Sequence, residues 1–305
     1  MLNRIDVHRR SLRSRWLAWF LRRRFKPLLI NPLFDPVRFR RGLERSMGSR
    51  PPAADVDVVA TTESPVPGDW NIPRHLLSDH IILYSHGGGY IFGSPLTHRS
   101  FSTRLASATG MKVFVPDYRL APEYLFPAAA DDILAVYRWL LEQVEPHRIV
   151  LAGDSAGGGL SLSLLVQIRE QGLPMPAGVV LMSPYADLSA SSPSLDENSD
   201  TCAMFSGEAI RRAAAGYLGR APATDPRASP VFADYTGFPR MLVFVSDSEV
   251  LRDDGLKIAE KAAEAGVDVQ LQVWSGQVHV WPLFVPYIPE ANRALRDMVA
   301  FMQAL

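Results

Sequence analysis

Cysteine and long apolar runs are nearly absent from this chain of 305 residues. The one cysteine, Cys202, can form no intramolecular disulfide, and there is no cluster of cysteines to bind zinc. The longest apolar run near the start, residues 16–21, is shorter than a signal-peptide core, and three arginines follow it directly. No stretch of the sequence has the length needed to span a bilayer. We therefore expect a cytoplasmic protein without an integral membrane span.

An overall excess of charge is also absent, but the charges are unevenly distributed. The 32 Lys and Arg balance the 32 Asp and Glu, so the chain lacks the basic character of a nucleic-acid-binding protein. Residues 1–50 hold 14 basic and 3 acidic residues, and the remainder of the chain has the opposite imbalance. Because residues 1–50 also contain many large apolar side chains, we expect them to form a lid on the body of the protein. An arm that contacts a membrane surface or nucleic acid is the alternative.

Short β-branched segments alternate with helical patterns from about residue 55 onward. Apolar runs and alternation predict strands at 55–61, 80–85, 111–115, 148–153, 178–182, 241–245 and 267–274. Helical spacing predicts helices at 11–24, 36–46, 95–109, 128–144, 155–170, 254–265 and 289–304. This order is typical of an α/β fold, in which helices flank a mostly parallel sheet. Residues 185–235 interrupt the alternation and contain one predicted helix, near 207–218.

Residues 153–157 read Gly-Asp-Ser-Ala-Gly and match the pattern G-x-S-x-G. An apolar strand pattern leads into the match and a helical pattern leads out of it, which is the setting of a nucleophile elbow. Glycines flank the serine because the tight turn brings neighbouring backbone too close for side chains. The context favours Ser155 as a nucleophile, and a glycine-rich turn without chemistry is the alternative.

Residues 86–89 read His-Gly-Gly-Gly and directly follow the strand predicted at 80–85. Backbone N–H groups in such a loop can point at a developing negative oxygen. Together with the residue after the nucleophile, the loop predicts an oxyanion hole formed by Gly87, Gly88 and Ala156. A flexible glycine hinge is the alternative, whereas the G-x-G-x-x-G pattern of a dinucleotide-binding loop is not matched.

One histidine is placed in the chain to act as the general base. In α/β hydrolases the order is serine, acid, histidine, and among the seven histidines only His279 follows Ser155. The acid should lie after the strand at 241–245, where its carboxylate would orient the imidazole. The candidates in that stretch are Asp247, Glu249, Asp253 and Asp254. The last two fall in the first turn of the next predicted helix, where acids favour the helix dipole for a structural reason alone.

The motifs resemble those of the hormone-sensitive lipase-like esterases, the bacterial family IV of α/β hydrolases. The shared segments are HGGG at 86–89, DYRLAPE at 117–123, FPAAADD at 126–132, GDSAGG at 153–158, SP at 183–184 and EVLRD at 249–253. In the family the acid is the first residue of a D-P-L-x-D stretch, a position that Glu249 occupies here. The resemblance, which covers about residues 55–305, thus implies Glu249 as the acid, with Asp253 and Asp247 as fallbacks.

The resemblance also implies a cap over the active site. Residues 1–50 would form its N-terminal part, and residues 185–235 would contribute to it from within a catalytic domain of residues 51–305. Five large aromatic side chains fall in these segments, and we expect most of them to form the core of the cap. They are Trp16, Trp19, Phe20, Phe205 and Tyr217.

The combined pattern predicts carboxylic ester hydrolysis through a serine acyl-enzyme. Ser155, His279 and Glu249 would form the triad, and no metal or cofactor is implied. The resemblance implies a small-molecule ester with a short to medium acyl chain, and it leaves a homodimer open. Two other classes also stay open: a hydrolase-fold interaction protein that has lost catalysis, and an amidase, lactonase or carbamate hydrolase with the same triad. Asp117, Tyr118 and Glu123 are expected to brace the site rather than react.

Overall fold

The computed structural model describes residues 1–8, 10–31 and 33–305. Its strands are β1 (Leu2–Val7), β2 (Val56–Thr61), β3 (Gly68–Pro73), β4 (Ile81–Ser85), β5 (Lys112–Pro116), β6 (Ile149–Asp154), β7 (Gly178–Met182), β8 (Arg240–Ser246) and β9 (Val269–Trp274). Its helices are α1 (Leu12–Arg24), α2 (Lys26–Ile30), α3 (Pro36–Gly48), α4 (Pro95–Thr109), α5 (Ala128–Leu141), α6 (Ala156–Glu170), α7 (Ser194–Glu197), α8 (Gly207–Leu218), α9 (Arg252–Glu264) and α10 (Pro289–Gln303).

The strands form one sheet in the order β1-β9-β8-β7-β6-β4-β5-β3-β2. Neighbours from β1 through to β5 run parallel, whereas β3 pairs antiparallel with both β5 and β2. The predicted α/β fold with a mostly parallel sheet is therefore confirmed. Because parallel strands share one direction, the carboxyl ends of β4, β6, β7 and β8 lie at the same edge of the sheet.

Alternate side chains of each central strand enter two separate cores. In β4, Ile81 and Leu83 face one core and Ile82 and Tyr84 the other. Residues of α5, α6 and α9 fill the first core, and residues of α1, α4 and α10 fill the second. Continuous burial on both faces explains why these strands read as unbroken apolar runs in the sequence.

Two strands, β1 and β3, show no sequence pattern from which they could be predicted. Strand β1 is an edge strand in which five of six residues are exposed, so its sequence, LNRIDV, shows no apolar alternation. It pairs with β9 from Leu2 opposite Val269 to Val7 opposite Trp274. The expectation that all of residues 1–50 belong to a lid is therefore wrong for these six residues, because unsatisfied backbone groups at the edge of β9 recruit them into the sheet.

After β1 the N-terminal segment packs on several parts of the protein: α1 on α10, α2 on α8 of the segment 185–235, and α3 on α4. Lys26 of α2 donates to the carbonyl oxygen of Cys202 (3.0 Å), and Arg212 of α8 donates to the carbonyl oxygen of Leu29 (2.9 Å). Arg40 of α3 forms an ion pair with Glu123 (2.8 Å). No helix in the described ranges is long and apolar enough to cross a membrane.

The aromatic side chains of these two segments have different environments. Tyr217 is buried and stacks on Tyr90, with ring centroids 4.0 Å apart. Trp16, Trp19 and Phe20 are exposed instead. The expectation that most of the aromatic residues form a core is thus wrong for the three on α1, because the side of α1 that packs on the protein carries smaller residues.

Candidate active site

Ser155 occupies the sharp turn between β6 and α6. Its backbone has φ +52° and ψ −121°, a conformation that non-glycine residues rarely adopt. A Cβ at Gly153 would lie 2.3 Å from the carbonyl oxygen of Gly157, and a Cβ at Gly157 would lie 1.9 Å from that of Ser85. Only glycine fits at either position, so the two glycines of the motif allow a turn that points the serine side chain away from the sheet.

Glu249 and His279 form a buried pair beside this turn. Nδ1 of His279 lies 2.5 Å from Oε2 of Glu249, and both side chains are almost completely buried. The other carboxylate oxygen of Glu249 accepts hydrogen bonds from the backbone N–H of Ser246 (2.7 Å) and the hydroxyl of Ser183 (3.0 Å). Because both oxygens are engaged, the carboxylate is held in one orientation, and Nδ1 of His279 must carry the proton that is shared with it.

The other three candidate acids, Asp247, Asp253 and Asp254, accept hydrogen bonds from backbone N–H groups. Asp247 accepts from the N–H of Gly276 (2.7 Å), and Asp253 accepts from the N–H of Ser194 (2.8 Å). Asp254 accepts from the backbone N–H groups of residues 186 and 187 (both 2.9 Å). None of the three contacts His279 among the hydrogen bonds of the described residues.

Nε2 of His279 is buried and has no hydrogen-bond partner among the described residues. It lines a cavity of about 310 Å³ whose wall also includes Ser155. The ring of Phe205 packs edge-on against the imidazole, with centroids 5.2 Å apart. The free nitrogen of the histidine and the serine of the elbow therefore line the same cavity.

The glycine-rich loop corrects one predicted oxyanion donor. The N–H of Gly87 donates to Oδ1 of Asp154 (2.9 Å) and is not available to a ligand. The N–H groups of Gly88 and Gly89 donate to no acceptor in the described part of the chain, and both residues have positive φ. Each lines a cavity that also contains Ser155. Gly89, the third glycine of the HGGG motif, is not among the donors predicted from the sequence, although the motif contains it.

Asp154, the variable residue before the serine, connects the elbow to the glycine-rich loop. Its Oδ1 accepts from the hydroxyl of Tyr84 (2.6 Å) as well as from Gly87, and it lies 3.5 Å from Nε2 of His98. Burial alone would raise the pKa of Asp154, but the nearby His98 and the Tyr84 hydroxyl outweigh it and hold the pKa below its usual value. An ionised carboxylate therefore holds the loop against the elbow.

His86 and the DYRLAPE segment support the same loop from the other side. His86 stacks on Tyr118 with centroids 4.2 Å apart, and the Tyr118 hydroxyl donates to the carbonyl oxygen of His86. Burial, followed by the neighbouring His98, lowers the pKa of His86 to about 3, so its imidazole is neutral. Its Nδ1 donates to the carbonyl oxygen of Gly87 (2.9 Å). These contacts fix the loop conformation without adding charge.

Two cavities meet at Ser155. The first, of about 210 Å³, is mainly apolar and extends under α8. The second is the cavity with His279. Ser155, Phe92 and Phe205 line both. In the described ranges no group of three or more His, Cys, Asp or Glu side chains is arranged to hold a metal ion.

Comparison with known proteins identifies the class to which this fold and site belong. The family model described as the alpha/beta hydrolase fold matches residues 82–283. An acetyl-hydrolase of Streptomyces hygroscopicus is 41% identical over 223 residues, which are 73% of this chain and 75% of that protein. An esterase of Acinetobacter venetianus is 41% identical over 227 residues, or 74% of this chain and 75% of that protein.

Solved structures narrow the class further. The crystal structure of the esterase EstE5 aligns with a TM-score of 0.92 at 38% identity and covers 97% of this chain and 99% of that one. An esterase from the bacterial hormone-sensitive lipase family aligns over the same shares with a TM-score of 0.91 and 38% identity. The chain belongs to this family of α/β-hydrolase enzymes, as its motifs predict.

Proposed function

We propose that the protein hydrolyses carboxylic esters through an acyl-enzyme formed on Ser155. The observation that carries the proposal is the buried Glu249–His279 pair, whose free Nε2 opens into the cavity that contains the serine of the elbow. Relatives named esterase and acetyl-hydrolase support the same reaction class.

In this mechanism Ser155 attacks the ester carbonyl carbon while Nε2 of His279 takes the hydroxyl proton. Glu249 stabilises the imidazolium that forms. The carbonyl oxygen becomes negative and accepts hydrogen bonds from the N–H groups of Gly88, Gly89 and Ala156. His279 then protonates the departing alcohol, and water activated by the same histidine releases the acid and restores the serine.

The two cavities would hold the two halves of the ester. His279 must reach the leaving oxygen, so the alcohol part occupies the cavity that contains this histidine. The acyl part then enters the cavity of about 210 Å³ under α8. This volume is below the range of about 300–1,000 Å³ typical of pockets for drug-sized ligands, which supports short to medium acyl chains.

Residues from both ends of the predicted cap contribute to these walls. Phe20 and Leu29 come from the N-terminal helices, and Phe205 and Ile210 come from the segment 185–235. We propose that these segments, without β1, act together as the cap over the active site and set the preference for chain length.

The test is turnover of p-nitrophenyl esters from acetate to palmitate. We expect the highest kcat/KM at short to medium chains and a loss of about 10⁴–10⁶-fold in kcat for Ser155→Ala. Ser163→Ala is the matched control, since it removes a buried serine hydroxyl from α6, the helix that Ser155 precedes. Activity of Ser155→Ala at a tenth of the wild-type rate would contradict the assignment of the nucleophile. Inactivity of the folded wild-type protein on all esters would favour a binding protein instead.

A further inference from the structure

The solvent-facing side of α1 carries large apolar side chains. Their exposed fractions are 78% for Leu12, 62% for Trp16, 56% for Trp19 and 40% for Phe20. Trp16 follows Leu12 by four residues, and Trp19 and Phe20 follow Trp16 by three and four, so the four side chains share one face of the helix. The opposite face packs on the protein through Ser14, Ala18 and Leu21. A surface helix of a globular protein ordinarily has the reverse arrangement, with its largest apolar residues inward.

This orientation of α1 is fixed by polar contacts at its packed face. The Ser14 hydroxyl donates to Oε1 of Gln277 (2.7 Å), and the Ser11 hydroxyl donates to Oε2 of Glu290 (2.9 Å). The side chain of Ser11 also caps the helix by accepting from the N–H of Ser14 (3.1 Å). Rotation that buried the aromatic face would break the two hydrogen bonds to Gln277 and Glu290, so the apolar face is a stable feature of the surface.

The charge around this face has one sign. Residues 7–34 contain eight Lys and Arg and no Asp or Glu. Arg15 and Arg23 form no ion pair with any acidic residue of the chain, all of which lie in the described ranges. The guanidinium of Arg23 lies over the ring of Trp19 at 5.7 Å. Tryptophan, phenylalanine and leucine flanked by arginine are the composition of helices that lie in the interface of a bilayer.

The apolar face continues into the active site. A groove of about 560 Å³ runs between α1 and residues 284–288. Phe20, Arg50 and Phe284 line both this groove and the cavity that contains His279. The mouth of the proposed active site therefore opens at the edge of the same surface.

We propose that the exposed face of α1 docks on an anionic lipid surface and presents the mouth of the active-site cavity to it. The tryptophan rings enter the interfacial region, and the arginines bind lipid phosphates. A second copy of the chain is a poor occupant, because two identical basic faces without acids repel each other. The docking surface is independent of the proposed chemistry, which can be measured on soluble esters.

Binding of the full-length protein to vesicles tests the proposal. The vesicles contain either phosphatidylcholine alone or phosphatidylcholine with about 30% phosphatidylglycerol, and bound protein is measured by sedimentation. Trp16 and Trp19 are the exposed ones among the six tryptophans, so a blue shift of the intrinsic emission reports their insertion. We expect binding and a blue shift with the anionic vesicles, both reversed by high salt.

Two variants separate the apolar and the charged contributions. Trp19→Ser should weaken partitioning about tenfold, and Arg15→Gln with Arg23→Gln should weaken it about 25-fold, at about fivefold for each basic residue. Both should keep wild-type turnover of a soluble ester, because neither lines the active-site cavities. Leu77→Ser, which removes an exposed leucine (74%) near the opposite edge of the sheet, should bind as the wild type does.

Three results would overturn the proposal. The first is absence of wild-type binding to anionic vesicles, and the second is binding that the α1 variants leave unchanged. The third combines two observations: the wild type does not bind vesicles, and it forms a dimer in solution, seen by light scattering, that Trp19→Ser dissociates. The exposed face of α1 would then be a protein interface. None of these results depends on whether soluble esters are hydrolysed.

Discussion

The loop after β8 and the first turn of α9 are adjacent in the chain and both bury carboxylates, but they bind different kinds of donor. In the loop, Glu249 accepts a hydrogen bond from the imidazole of His279. In the helix turn, Asp253 and Asp254 accept hydrogen bonds from backbone N–H groups of the segment that follows β7. Backbone donors cannot change their protonation, so the helix carboxylates can only hold structure. A carboxylate on a histidine can also respond when that histidine takes up a proton.

The difference arises from geometry at the sheet edge. Glu249 lies between the ends of β7 and β9, where Ser183 and His279 converge on it. Asp254 lies one turn into α9 and points at the loop 184–192, to which it is held by two N–H groups and by the hydroxyl of Ser192 (2.8 Å). Burial is nearly complete for both, so burial alone does not distinguish a catalytic acid from a structural one.

The comparison predicts its largest effect for Glu249→Gln. Oε1 already accepts from Ser246 and Ser183, so the amide oxygen should take that position and the amide nitrogen should face Nδ1. The histidine would then carry its proton on Nε2 and could not accept one from Ser155. We expect kcat to fall by about 10²–10⁴-fold, as for other triads with an amide in place of the acid.

Glu249→Asp and Asp253→Asn are the controls for that measurement. The aspartate keeps the charge at shorter reach and should retain part of the activity. Asp253→Asn should leave kcat within about threefold and cost about 1 kcal/mol in the free energy of unfolding, since it weakens the hydrogen bonds that the carboxylate accepts from the N–H of Ser194 and the guanidinium of Arg252. Equal losses of kcat in Glu249→Gln and Asp253→Asn would remove the distinction between the two regions.

Asp154 contacts both a histidine and a backbone N–H group. Asp154→Asn should therefore lower kcat by less than Glu249→Gln and by more than Asp253→Asn. Its carboxylate faces His98 and also holds the N–H of Gly87. A neutral amide would bind Gly87 more weakly and loosen the oxyanion loop, so we expect kcat to fall about tenfold, which corresponds to about 1.4 kcal/mol. Asp268→Asn, which removes a carboxylate paired with Arg240 (3.1 Å) at the amino ends of β8 and β9, should leave kcat unchanged.

The smallest catalytic effect is expected for Asp254→Asn, which instead changes how stability depends on pH. Burial raises the pKa of Asp254 to about 7, against the hydrogen bonds from residues 186, 187 and 192 that lower it. Between about pH 4 and pH 7 the unfolded chain releases this proton and the folded protein keeps it. Unfolding is therefore favoured by rising pH in this window, with a slope of at most about 1.4 kcal/mol per pH unit.

Urea unfolding of the wild type and of Asp254→Asn between pH 4.5 and pH 7.5 measures this contribution. The stability of the wild type relative to the variant should decrease as the pH rises toward 7 and level off above it. A constant difference across the range would mean that Asp254 is ionised throughout, and that its hydrogen bonds outweigh its burial.

Much of the fold could be predicted from the sequence because its signals are local. Except for the short α7, which was not predicted, the strands β4 to β9 and the helices between them read as continuous apolar runs and 3.6-residue periods, and their observed bounds differ from the predicted ones by at most three residues. Strands β1 and β3 could not be predicted, since their residues form no apolar run or alternation and their positions follow from pairing with β9 and β5, which lie further along the chain. Local pattern carries no record of such long-range pairing.

By itself the sequence determined the turn at Ser155 and the glycine-rich loop, because contiguous glycines limit the backbone at those points whatever surrounds them. Tertiary structure alone decided which of four neighbouring carboxylates meets His279, which N–H of the loop is already bound, and which face of α1 points to solvent. Each of these depends on a contact between residues far apart in the chain: 30 residues for Glu249 and His279, 67 for Asp154 and Gly87, and 263 for Gln277 and Ser14. Contacts of that range follow from the packing of the sheet and its helices, and residue spacing does not encode them.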